Sequence, residues 1–79
     1  MRVNGIRGTR SHIYVDIEDK TICITGELTL TPAFYADISS IKHWESPFEN
    51  KTIDEEMKEQ IIKAIIDYTK DKEVKIYFE

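Results

Sequence analysis

The sequence predicts an α+β fold: a three-stranded antiparallel meander, one helix packed on the sheet, and a C-terminal fourth strand, in the order β-β-β-α-β. Three observations predict it. Apolar residues alternate with polar ones through residues 12–18, 21–31 and 34–38; an apolar stripe at helical spacing runs from Ile53 to Lys70; and a short alternating segment, Val74 to Phe78, follows the helix.

In the first run Ile13, Val15 and Ile17 share one face, and His12, Tyr14 and Asp16 the other. Asp19-Lys20 reads as a tight turn. In the second run Ile22, Ile24, Leu28 and Leu30 fall on the inner parity. Gly26 shares that parity, which marks a bulge or the close crossing of another element. Thr31-Pro32 ends the strand, and Phe34, Ala36 and Ile38 begin the third run. Short connections between the runs give an antiparallel meander.

Thr52-Ile53-Asp54-Glu55 fits a capping box, in which the Thr52 hydroxyl and the Glu55 carboxylate accept from free backbone N–H groups. Acids crowd the first turn of the helix and Lys70 sits in its last, as the helix dipole favours. Beyond Asp71-Lys72, the residues Val74, Ile76 and Phe78 share one face of the last strand.

A chain of 79 residues and 9.3 kDa has room for one domain, residues 1–79, with residues 1–10 as a basic N-terminal arm. With 41% hydrophobic and 33% charged residues, it reads as a folded domain rather than a disordered tail. No apolar run approaches the ~20 residues of a membrane helix, and Met1 to Arg10 lacks the apolar stretch of a secretory signal. A membrane partner is not expected. Cys23 is the only cysteine, and zinc-type Cys/His spacing is missing. A metal site, a cofactor or a disulfide scaffold is therefore not expected. A core of this size supplies only ~3–5 kcal/mol of net stability, which leaves little slack for a deep catalytic cleft and favours binding over chemistry.

Helix and sheet widths add a packing requirement. One helix is ~10 Å across, whereas four strands at ~4.8 Å spacing span nearly twice that. Trp44, Pro47 and Phe48, just before the helix, are the natural filler. Trp44 is thus a wedge closing the core or, because Trp is enriched at binding hot spots, an anchor for a partner. On the helical wheel Ile53, Met57, Ile61, Ala64, Ile65 and Tyr68 form one arc, while Ile62 and Ile66 lie well outside it. Either the N-terminal segment (Val3, Ile6) or the Trp44–Phe48 loop covers these two, or they form a homodimer or partner contact.

Net charge is −4, unevenly placed. The first fifteen residues carry +3 through Arg2, Arg7 and Arg10, and the stretch from Trp44 to Glu59 carries −4. Acidic surfaces repel phosphate backbones and steer basic partners. The outward sheet face collects His12, Tyr14, Asp16, Cys23, Thr25, Glu27, Tyr35, Asp37, Lys75 and Tyr77. Such a face is either a wet surface of good strand formers or a docking surface, with Tyr giving contact area and carboxylates pairing with a partner's Arg or Lys. It lacks the interleaved basic residues that stacking on nucleic-acid bases requires, so no nucleic acid is expected as a partner. Among His12, Glu27, Asp37 and His43 no spacing matches a nucleophile–base or metal pattern, and Cys23 has no neighbouring base. Catalytic residues are not expected.

Gly26-Glu27-Leu28 at the end of a core strand, the run Ile41-Lys42-His43-Trp44-Glu45-Ser46-Pro47, the acidic helix start and the short closing strand together resemble the small immunity proteins of bacterial polymorphic-toxin systems, over Ser11 to Glu79. The resemblance implies a cytoplasmic protein that binds and neutralises a cognate toxin without chemistry of its own. The residues expected to carry binding are Tyr14, Glu27, Tyr35, Asp37, Trp44 and Glu45, the aromatics as anchors and the carboxylates as partners for Arg and Lys on the toxin. The alternative is a self-associating structural or regulatory subunit, with Ile62 and Ile66 at its seam.

Overall fold

A computed structural model describes residues 1–79. Five strands, β1 (Val3–Gly8), β2 (His12–Ile17), β3 (Lys20–Thr29), β4 (Ala33–Ala36) and β5 (Lys75–Phe78), accompany one helix, α1 (Glu55–Thr69), and a 3-10 turn at Ile38–Ser40. The strands form one sheet in the order β1-β2-β3-β4-β5, antiparallel throughout except for the parallel pair β4–β5. The α+β class, the β2-β3-β4 meander and the strand after the helix agree with the sequence reading. The sheet has one strand more than expected.

That strand is the expected basic arm. Val3–Gly8 is no arm but an edge strand against β2, with Val3 opposite Ile17 and Ile6 opposite Val15. Val3 and Ile6 are three residues apart, which breaks strand alternation; a bulge between Val3 and Gly5 absorbs the extra residue and returns both to the inner face. Arg7 spends its charge on Asp16 at 2.6 Å. The β2–β3 turn is Glu18-Asp19 rather than Asp19-Lys20, because Ile17 pairs with Lys20. Glu18 has a φ of 56°, and the Asn4 amide donates to its carbonyl at 2.9 Å.

β3 is ten residues long and changes partner along its length, from β2 through Thr25 to β4 from Gly26. Gly26 stands where β4 comes in: a Cβ there would overlap the Tyr35 carbonyl oxygen and lie 2.6 Å from Phe34 Cε1. This is the close crossing the glycine's parity suggested. Beyond it the expected core positions fail, with Leu28 42% exposed and Leu30 fully exposed. A ten-residue strand is ~33 Å long and a fifteen-residue helix ~22 Å, so the end of β3 outruns its cover. Ile38 does not continue β4; Asp37 caps the 3-10 turn there, accepting from the Ser39 N–H at 3.0 Å.

The core joins Ile13, Val15 and Ile17 of β2, Ile22 and Ile24 of β3, Phe34 and Ala36 of β4 and Ile76 of β5 to Ile61 and Ile65 of the helix. Val3 of β1, Ile41 and Trp44 complete it. The segment after the 3-10 turn runs along β3, with Trp44 bridged to Ile22 and the Glu45 N–H donating to the Thr21 carbonyl at 2.8 Å. Trp44 is 5% exposed and Phe48 packs against the same cluster. The filler that the width argument required is therefore present.

Helix capping departs from the expected box by two residues. Asp54, not Thr52, is the N-cap, accepting from the Met57 N–H at 2.8 Å, while Thr52 bridges to His43. At the other end the Lys75 ammonium, not Lys70, bonds the carbonyls of Thr69 and Lys70, as cations near a helix C-terminus do. Lys75 thereby leaves the outward face on which strand parity had placed it. Neither Val3 and Ile6 nor the Trp44–Phe48 loop covers the second apolar helix row. Ile62 and Ile66 instead line a groove with Ile38, Ile76 and Phe78, and Ile66 stays 46% exposed.

Candidate partner-binding face

Three strands build the site. Register sets Glu27 of β3 opposite Tyr35 of β4, and Tyr35 opposite Tyr77 of β5, all on the face away from the helix. The two tyrosine rings stack, with centroids 5.5 Å apart and planes at 26°. Glu27, Tyr35, Asp37 and Glu79 surround a shallow depression floored by Gly26, and no Lys or Arg lines it.

None of the three carboxylates enters an ion pair; those of the chain are Arg7–Asp16, Lys20–Asp19 and Lys58–Glu55. Asp37 is held in place by its own turn, one carboxylate oxygen accepting from both the N–H and the hydroxyl of Ser39, at 3.0 and 2.7 Å. These bonds lower its pKa below the ordinary aspartate value, so the charge persists into mild acid. The depression thus combines a fixed carboxylate, two further acids and a stacked aromatic pair, the chemistry that receives guanidinium or ammonium groups.

A second cluster occupies the other end of the face, about four strand residues or roughly 13 Å away along β3. Tyr14 lies opposite Cys23, whose proximity is the largest cause of a raised Tyr14 pKa; Glu45 adds to the rise. Arg7 lies over the Tyr14 ring, 5.7 Å from the centroid. Asp16 accepts from the Thr21 hydroxyl and from Arg7, each at 2.6 Å, and the Thr21 bond is the main cause of its lowered pKa. At this end Asp16 and Arg7 are already matched to each other.

Of the six expected binding residues, Glu27, Tyr35 and Asp37 come together. Tyr14 and Glu45 belong to the second cluster, and Trp44 lies in the core beneath Lys20, whose ammonium is 5.8 Å from its ring centroid. Of the two roles weighed for Trp44, its burial matches the wedge and not an exposed anchor. Tyr77 and Glu79 were not among the expected six. The signal for Tyr77 was its outward parity; only the parallel landing of β5 beside β4 brings it to Tyr35. His12 pairs with the Ser11 hydroxyl at 2.8 Å and not with Glu27 or Asp37. No group of three or more His, Cys, Asp or Glu side chains is arranged to hold a metal ion. No helix is long and apolar enough to cross a membrane.

The chain is thus a small α+β domain whose outer sheet face carries an acidic depression beside a stacked tyrosine pair. The chain belongs to the Immunity protein 74 family, whose model matches residues 5–79. Neither the curated proteins nor the solved structures yield a match. The matched region reaches further forward than the resemblance seen in the sequence, and takes in most of β1.

Proposed function

We propose that the chain neutralises a cognate bacterial toxin by binding it, in the cytoplasm and without catalysis, through the Glu27–Tyr35–Asp37 end of the outer sheet face. Membership in an immunity-protein family supports the toxin as partner. The observation that carries the choice of surface is the stacked Tyr35–Tyr77 pair ringed by three carboxylates that make no ion pair within the chain. Tyr35 and Tyr77 act as rigid anchors; Glu27 and Asp37 receive Arg or Lys side chains of a basic toxin surface. Tyr14 and Glu45 extend the contact toward β2, and Trp44 supports it from below by holding the 41–48 segment against β3.

The test is co-expression with the toxin encoded beside this gene, followed by co-purification. Rescue of growth with a stable complex supports the reading, and toxicity unrelieved by the chain defeats it. The self-association alternative draws on a different part of the molecule, the β5 edge and the groove beside Ile66.

A further inference from the structure

We propose that the outer edge of β5, with the apolar groove beside it, pairs with the same edge of a second copy of this chain. β5 ends the sheet order, so no strand of its own chain lies beyond it. The Glu79 N–H donates to the Ala36 carbonyl and the Glu79 carbonyl accepts from the Ile38 N–H, both at 2.9 Å. In a strand, successive residues turn their backbone groups to opposite sides. Lys75, Tyr77 and Glu79 therefore face β4, and the N–H and C=O of Ile76 and Phe78 point outward.

The edge is complementary to itself. Antiparallel pairing of Lys75-Ile76-Tyr77-Phe78-Glu79 with a second copy, about a two-fold axis at Tyr77, sets Ile76 opposite Phe78 of that copy in hydrogen-bonded positions. The same register sets Lys75 opposite Glu79 twice, once in each direction, as an isologous contact requires. These end pairs are the non-hydrogen-bonded kind, whose side chains stand closest. A slip of one residue would face bonded against unbonded positions and separate the charges. Lys75 gives donors to the Thr69 and Lys70 carbonyls. The Lys75 Cα keeps the parity of Tyr77, so on pairing its ammonium swings from the helix end back across the β5 edge to meet the arriving carboxylate.

The groove supplies the apolar part. Ile38, Ile62, Ile66, Phe78 and Lys75 line it. Pairing at β5 keeps both helices on one side of the joined sheet, so their Ile62–Ile66 rows close on each other across the axis. On the outer side the stacked Tyr35–Tyr77 pairs of the two copies become one aromatic row. The opposite edge differs: β1 carries a bulge at Val3/Gly5, two glycines and Arg7, devices that discourage edge pairing. β5 has an unbroken register and neither glycine nor proline.

Sedimentation or light scattering across a concentration series on the full chain tests this. The chain should be dimeric. Glu79→Lys and Lys75→Glu should each weaken self-association about tenfold or more, since each replaces two attractive contacts with repulsive ones. An equimolar mixture of these two variants should recover the dimer mass, because each copy then meets the opposite charge. Ile66→Asp should weaken the dimer without touching the outer face. Circular dichroism checks that Lys75→Glu keeps its helix; if that variant does not fold, Glu79→Lys and Ile66→Asp still decide. A monomer at every soluble concentration, a dimer indifferent to Glu79→Lys and Ile66→Asp, or a mixture of folded variants no tighter than either alone overturns the proposal.

Discussion

Tyr35 and Tyr77 stack at 5.5 Å because β5 enters the sheet parallel to β4 in a register that places the two residues opposite each other. They are 42 positions apart in the chain, and the whole helix intervenes. Cross-strand aromatic pairs of this kind contribute about 0.5–1 kcal/mol. A double-mutant cycle on Tyr35→Ala and Tyr77→Ala in urea should return a coupling of that size. Both single variants should stay folded, since both side chains are exposed.

Gly26 should tolerate nothing larger. Gly26→Ala forces the new methyl into the Tyr35 carbonyl and Phe34, and the β3–β4 pairing must move to admit it. Overpacking of this kind costs about 1–3 kcal/mol, a large share of what a core of this size provides. Equilibrium denaturation should show a lower midpoint with helical content retained.

Trp44 should behave as a core residue. Truncation of a buried Trp to Ala costs about 3–5 kcal/mol, comparable to the entire stability of such a domain. Trp44→Ala should therefore be largely unfolded at room temperature, and Trp44→Phe folded with a reduced thermal midpoint. Weaker toxin binding by a fully folded Trp44→Ala chain would instead mark Trp44 as a contact residue.

Acid stability should follow the carboxylates at positions 16, 19 and 37. Each has a folded-state pKa below the ordinary 3.8, through hydrogen bonds from Thr21, Lys20 and Ser39 respectively. A depressed pKa means that the unfolded chain binds more protons in the window between the two values, so stability rises with pH there. Their contribution is fully present above about pH 5 and is lost as the pH falls through 3.8 and below. Thermal midpoints of the parent chain and Asp16→Asn, measured from pH 7 to pH 2, should converge at the acid end.

Strand alternation made β2, β4 and the first half of β3 legible, because Ile13, Val15, Ile17, Ile22, Ile24, Phe34 and Ala36 obey a period of two and all are buried. β1 was hidden because its bulge turns Val3 and Ile6 into a three-residue spacing. The helix was legible from Ile61 and Ile65, but its cap was not. Thr52 and Asp54 are both good caps, and the Thr52–His43 bridge decides between them. At the site, parity found Glu27, Tyr35 and Asp37. It could not find Tyr77 beside Tyr35 or the reach of Lys75 to the helix end, since both depend on where β5 returns.

Binding of purified toxin to the parent chain, Glu27→Lys and Tyr35→Ala, by calorimetry or surface plasmon resonance at two salt concentrations, addresses the central claim most directly. Anchor truncations at interfaces typically cost 2 kcal/mol or more. Tyr35→Ala should therefore raise Kd about 30-fold or more, chiefly through faster dissociation. Glu27→Lys should slow association and reduce its salt dependence, with both variants as well folded as the parent. Unchanged affinity and association rate in both variants would contradict the account and move the toxin contact off this face.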